Sequence, residues 1–411
     1  MTTVAFGRGG TIYGDGPFPL GRHRADIYDL VVGVLLVIFL LFFFVGAKFQ
    51  ALGLPARIED FIFLLLLPLG YRYVLRRKTP LFFWIAAYFG VNLIPYVAAL
   101  VAGEYSLGLY PVILLKELQY FYIAFLICEN RLWWVLGAVD GLALFIIFYG
   151  LRELLAGRIS YYGIGTIGTD SPSLSGALYL FSTIWLHIRI KLLPTRVLRA
   201  VGLIAVFLGM ACVVATISRS SIVALVVYIT VYLLLARIIV FPAFLAALGL
   251  TPWLIQVIAL SISVGLGIIA QQVVRRASVE QLATGTERTL KWIQYLQTLE
   301  PVDFIFGRGT GYPNSLGGGY GLGVDSQYVR LAMERGIAGF VIVAAMLLTI
   351  LVEIKRRGGE YQHAWAIVIS MLVLSIPLEA LQVSKSGGFF WLVMFYLLMC
   401  QRRRPPALAV A

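Results

Sequence analysis

Apolar runs about as long as a bilayer is thick, separated by polar stretches that carry Lys, Arg and Gly, recur from Leu30 almost to the C-terminus. A helix needs roughly 20 mainly apolar residues to cross the hydrocarbon core, so each run reads as a membrane-spanning helix. The pattern predicts spans near 29–47, 59–75, 80–101, 107–128, 132–150, 172–190, 197–217, 220–240, 248–270, 330–352, 364–380 and 388–400. The expected fold is therefore an all-α integral membrane protein of about twelve helices. Residues 1–28 form an N-terminal tail, 29–270 hold the first nine spans, 271–329 form a large loop, 330–400 hold the last three spans, and 401–411 form a C-terminal tail.

The Lys and Arg residues in the short connections set an orientation. They gather in "GRHR", "RYVLRRK", "ENR", "RIKLLPTRVLR", "EIKRR" and the terminal "QRRR", all on one side if the N-terminus is cytoplasmic. The positive-inside rule then makes both tails cytoplasmic and puts loops 151–171 and 271–329 on the outer face. The N-terminal stretch is Gly-rich and basic, and no small-residue cleavage pattern follows the first apolar run, so it reads as a tail and not a cleaved signal.

Composition agrees with a lipid solvent. Of 411 residues, 60% are hydrophobic and 13% charged, and the mean hydropathy is +0.90, which excludes an ordinary soluble domain. The net charge of +13 is spread between apolar runs and not gathered in a basic arm, so nucleic acid is not the partner it points to. Cys128, Cys212 and Cys400 lie in or at the ends of apolar runs, without disulfide, zinc or redox spacing, and read as packing residues.

In the large loop, "SVEQLATGTERTLKWIQYLQTLEP" has helical spacing of Leu, Trp and Ile and is closed by Pro301. It predicts short amphipathic helices ahead of the irregular "FGRGTGYPNSLGGGYGLG". No internal repeat argues for an inverted-repeat transporter.

Polar groups at membrane depth are costly, so each is a candidate for function. In "TISRSS", Arg219 falls where one span ends on the outer face and the next begins, flanked by Ser218, Ser220 and Ser221. Helix-start amides and a guanidinium facing one anion suit a phosphate or pyrophosphate. An interfacial Arg reaching lipid headgroups, with Ser as a cap, accounts for the same residues. Arg275, Arg276, Arg288, Lys291 and Arg308 run against the positive-inside trend, which an acidic lipid-linked substrate explains. A solvated helix face explains Arg275, Arg276 and Lys291 as well. Arg288 has Trp292 one helical turn away, a pairing that lines sugar and phosphate sites.

At the tenth span, "GVDSQYVRLAMERGIAGF" offers Asp325 and Ser326 as an N-cap, with Glu334 and Arg335 facing other helices. The functional reading of the same residues makes Asp325 a general base, with Gln327, Tyr328 and Arg330 nearby. In the fourth span Lys116 and Glu117 sit inside an apolar run, and because neighbours in sequence do not share a helix face, at least one must pair with another helix. The sequence has no phosphate-binding loop, no Cys/His metal spacing and no dinucleotide fingerprint. No metal or cofactor is expected.

Together the outer-face motifs resemble the O-antigen polymerase and O-antigen ligase superfamily of bacterial membrane glycosyltransferases. The likeness runs from "TISRSS" through "GTERTLKWIQYLQTLEPVDFIFGRGTGY" to "DSQYVRLAMERGIAG", and includes Phe306-Gly307-x-Gly309. The first half agrees only in hydropathy. The resemblance implies a C-type glycosyltransferase fold and periplasmic glycan transfer from an undecaprenyl pyrophosphate-linked oligosaccharide to a sugar hydroxyl, without metal. It also implies that Arg219 and Arg288 hold the donor pyrophosphate, and that membrane lipid, a flippase and a chain-length regulator are partners. Family ligases carry a His, a small polar residue, nine residues, then Gly-x-x-Gly. Here Ser326, Gly336 and Gly339 keep that frame, but Asp325 stands at the His position, and His23, His187 and His363 all fall in or at the inner ends of spans. This departure favours a polymerase over a ligase. A flippase for the same lipid-linked oligosaccharide, using Lys116 and Glu117, is the alternative from another class.

Overall fold

The computed structural model describes residues 27–45, 48–51, 54–76, 80–101, 110–130, 132–156, 172–193, 195–236, 292–309, 326–376 and 385–399. Its elements in order are α1 (Ile27–Val45), β1 (Lys48–Ala51), β2 (Leu54–Arg57), α2 (Ile58–Arg76), α3 (Pro80–Val101), α4 (Tyr110–Glu129), α5 (Trp133–Leu155), α6 (Pro172–Ile190) and α7 (Arg196–Ala215). Then come α8 (Arg219–Leu235), α9 (Pro301–Phe306), α10 (Gln327–Arg356), α11 (Tyr361–Leu374) and α12 (Lys385–Met399). Apart from the antiparallel pair β1–β2, registered Lys48 to Arg57, the described elements are helices.

Each of the first eight expected spans and each of the last three coincides with a helix. The ninth, 248–270, lies outside the described residues, as do both tails. Among the described residues, four helices contain stretches long and apolar enough to cross a membrane: Leu81–Ala98, Trp133–Leu155, Arg196–Ala215 and Gln327–Arg356. They keep large apolar side chains such as Leu203, Phe207, Val341 and Val352 exposed, a surface that water disfavours and lipid accepts. The protein is built as a membrane-embedded helical bundle.

The centre of the bundle is formed by helices that are apolar all round, the pattern of a helix without a lipid face. Along α12, Phe389–Met399 are buried throughout, and on α6 Ala177–Trp185 are buried likewise. Phe395 and Trp391 of α12 meet Phe121 of α4 edge-on, at centroid separations of 4.8 and 5.1 Å. Around this centre α6 packs on α7, α8 on α11, α4 on α12 and α3 on α10.

At one end of the bundle, polar staples tie the helices. Arg189 of α6 grips Asp140 of α5 through Nε and Nη2 (2.9 and 2.7 Å) and donates to the Tyr396 hydroxyl on α12 (3.2 Å). Beside it, His187 and His363 each lie 3.0 Å from the Tyr228 hydroxyl through Nδ1, and His363 Nε2 lies 3.0 Å from Glu360. A chain of donors from His187 to Tyr228 to His363 to Glu360 satisfies every group in turn. Burial alone would push the Glu360 carboxyl up, but the His363 hydrogen bond and the Lys191 ammonium, 3.1 Å away, bring it down to about 2. The contribution of this anion is complete above the usual carboxylate range and is lost only as the pH falls toward 2.

The start of α10 differs from the expected boundary at 330. Ser326 is extended (φ −129°, ψ 123°) and its carbonyl accepts from the Arg330 N–H at 3.0 Å, so the helix begins at Gln327. Gln327 and Tyr328 thus belong to its first turn and not to the preceding loop.

Candidate functional site

At the end of the bundle opposite Glu360, the backbone of α10 breaks after only nine residues. Gly336 has φ 58° and ψ −159°, a combination open to glycine and very costly for any other residue. The break takes two carbonyls out of the helical ladder, and an outside segment fills the gap. Arg308 N–H donates to Met333 O (2.8 Å) and Gly309 N–H to Glu334 O (3.0 Å). The approach is backbone to backbone: a Cβ on Gly307 would run into Glu334, and one on Gly336 into the Ile305 carbonyl. The Phe306-Gly307-x-Gly309 turn and the Gly336 motif are therefore two sides of one contact.

The docking segment is ordered by its own side chains. The Glu300 N–H donates to Asp303 Oδ2 (2.8 Å) ahead of Pro301 at the helix start, and the same carboxylate oxygen accepts from Arg308 Nε (2.6 Å). Glu300 adds a longer contact to Arg308 at 3.4 Å. Just upstream, Trp292, Tyr295 and Leu296 pack against Leu299, Val329 and Met333, laying the 292–297 helix along the first turns of α10.

Below this contact lies a buried ion cluster. Arg335, with 0% of its surface exposed, donates through Nη2 to Glu117 of α4 (2.5 Å) and through Nε to Asn92 of α3 (2.7 Å), and its guanidinium stacks 4.4 Å from the Tyr88 ring centroid. Tyr88 also donates to Glu117 Oε2 (3.3 Å), and Arg330 Nε donates to Glu334 (2.8 Å), which lies 3.6 Å from Arg335. Two cations and two anions balance, as buried charges must. A cavity of ≈ 40 Å³ adjoins the cluster, with Glu117, Tyr88, Phe121, Gln327 and Trp391 among its walls.

The "TISRSS" turn joins α7 to α8 at the same end of the bundle. Ser370 of α11 donates to Ala224 O near the start of α8, and Ser375, just past α11, accepts from the Gln327 N–H. Ser218 caps α8, its Oγ accepting from the Ser221 N–H (3.4 Å) and lying 3.2 and 3.0 Å from the hydroxyls of Ser220 and Ser221. Ile217 sits at φ 54°, a strained backbone for a β-branched residue. Arg219 is the first residue of α8 and is exposed. Its guanidinium adds a positive charge to the positive end of the α8 dipole.

Of the residues the sequence singled out, the structure joins Trp292, Arg308 and Arg330 around one docking contact, sets Gln327 and Tyr328 against the end of α11, and puts Ser218, Arg219 and Ser220 in a turn at the same bundle end. Asp325 and Arg288 lie outside the described residues. Arg308 and Arg330 hold carboxylates of their own chain, Asp303 and Glu334, and the Tyr328 hydroxyl donates to Leu372 O (2.7 Å). Glu117, flagged for its depth, finds the partner its position requires, and Arg335 faces other helices as its sequence context suggests. The sequence reading passed over Asn92 and Tyr88, although an Asn inside an apolar run was itself a signal.

No protein-family model matches this chain, and a comparison with curated proteins returns no significant match.

Proposed function

We propose that the chain is a polysaccharide polymerase of the bacterial inner membrane, built on about twelve spans in the manner of a C-type glycosyltransferase. It moves a growing glycan from undecaprenyl pyrophosphate to a sugar hydroxyl of a new lipid-linked repeat unit on the periplasmic face. The observation that carries this reading is the contact between the Phe306-Gly307-x-Gly309 turn and Gly336, which unites two of the motifs on which the resemblance rests. The exposed Arg219 at a helix start, on the same bundle end, supports it.

In this reading Arg219 and Arg288 neutralise the pyrophosphate as it leaves, a fixed cation clamp aimed at developing charge. Arg308 and Arg330, which pair with Asp303 and Glu334, stand with Trp292 on the substrate-binding side of this reading. Asp325, Gln327 and Tyr328 stand at the acceptor side, with Asp325 as the general base, while Ser218 and Ser220 line the donor turn. Charge reversal, Arg219→Glu or Arg288→Glu, is expected to cut turnover about 10²–10³-fold, the scale of losing one fixed electrostatic contact. Polymer length and amount in cells at equal protein level are the readout. Unchanged polymer would overturn the clamp.

The buried Arg335–Glu117 pair favours one second reading, a flippase that carries the same lipid-linked oligosaccharide without making a bond. Flipping of a labelled lipid by the purified protein in vesicles, without chain extension, would decide for it.

A further inference from the structure

The cavity beside the ion cluster is walled by rings and by only a few polar groups. Tyr88, Phe121 and Trp391 supply aromatic surface, and Glu117 and Gln327 supply polar groups. Glu117 is engaged on one side only: Oε2 holds Arg335 and Tyr88, whereas Oε1 is buried without a hydrogen-bond partner among the described residues. A buried carboxylate oxygen in that state calls for a donor. The donor must be neutral, because Arg335 repels a cation from the site and Glu117 repels an anion. Aromatic surface with a carboxylate and an amide is chemistry that receives a sugar, C–H groups on the rings and hydroxyls on the polar atoms.

Size narrows the choice. A space of ≈ 40 Å³ holds a few water molecules or one hydroxyl-bearing carbon, and is too small for a hexose ring. We propose that the cavity takes the primary hydroxyl of a neutral hexose, its CH₂OH arm entering beside Gln327 and donating to Glu117 Oε1 while the ring stays at the mouth. The proposal rests on the glycan-transfer reading and deepens it: the acceptor sugar is positioned through a primary hydroxyl. Water is the other donor of the same chemistry, and the test separates the two.

The full chain in lipid nanodiscs is mixed with methyl glycosides of neutral hexoses at millimolar concentration, and saturation transfer from protein to sugar is measured by NMR. At least one hexoside should receive saturation, and its 6-deoxy counterpart should bind about tenfold more weakly or less, the scale of one lost hydrogen bond to a charged group. Val343→Phe, which fills the cavity from α10 and leaves the charged side chains alone, should abolish the signal, and Leu331→Phe serves if the first variant melts early. Glu117→Gln, which keeps an acceptor oxygen, should weaken binding without abolishing it. No hexoside signal, equal signal from the 6-deoxy sugar, or a well-folded Val343→Phe that still binds would overturn the proposal and assign the cavity to water. Binding is read without turnover, so a chain that binds sugar but makes no polymer counts against the polymerase alone. Polymer made without sugar binding counts against this subsite alone.

Discussion

Arg335→Met should be among the most damaging single substitutions in the bundle, costing about 3–5 kcal/mol of stability, the usual penalty for removing one partner from a buried ion pair. Arg335 is the common partner of Glu117, Asn92 and Glu334, drawn from α4, α3 and α10. Without it, Glu117 remains as a buried anion whose other donor is the Tyr88 hydroxyl. The cost is thus mainly the stranded charge and only secondarily the lost contact. That distinction has its own test. Glu117→Leu in the Arg335→Met background should recover more than half of the loss, because Arg330 and Glu334 still balance each other and an apolar pair of similar size fills the space. Thermal unfolding of the purified variants measures both steps. A double variant no more stable than Arg335→Met would show that the cluster works by geometry and not by charge balance.

Gly336→Ala should be nearly as severe, and more local. A side chain at φ 58° and ψ −159° is strained, and here the added carbon also meets the Ile305 carbonyl. Left-handed strain of roughly 1–2 kcal/mol and overpacking of roughly 1–3 kcal/mol together predict a loss of about 2–5 kcal/mol. Two outcomes relieve the clash: α10 straightens, or the 301–309 segment lifts away. Either frees the Arg308 and Gly309 amides from Met333 and Glu334, so their hydrogen exchange should accelerate while that of α6 and α12 stays as in the parent protein. Unchanged protection at 308 and 309 would contradict the docking account.

How far the sequence could be read depended on the range of the signal. Apolar runs are local and long, so the helices α1–α8 and α10–α12 were legible to within a few residues, four of them long and apolar enough to cross a membrane. The β1–β2 pair was not, since strands of four residues are too short to show a periodicity. The cap at Ser326 was legible and α10 starts right after it, whereas the apolar run alone put the boundary near 330 because Gln327 and Tyr328 are polar. Glu117 was legible as a residue in need of a partner. Which partner was not: Arg335 is separated from it by 218 positions, and one sequence does not pair such residues. The break at Gly336 was likewise hidden, because a glycine within an apolar run has the same appearance whether the helix passes through it or stops. Conversely, Arg308 was legible as an outer-face cation but its role was not, since its carboxylate Asp303 lies on a turn whose geometry the pattern does not give.

The fold also gives the proposed chemistry a mechanical frame. The donor-side turn rests on α6, where a Cβ at Gly176 would run into Ser221 Oγ. The acceptor-side residues rest on α10 and on the end of α11 through Ser375. Both supports are packed helices, which hold attached groups more tightly than free loops do.

The central claim is that this chain joins glycan units on lipid carriers. Its most direct test is purified protein in nanodiscs mixed with the undecaprenyl pyrophosphate-linked repeat unit of its host, with the products resolved on a gel. The account predicts a ladder of increasing length that forms without added metal and disappears in Arg288→Ala. Intact substrate and well-folded protein that yield no ladder would contradict it.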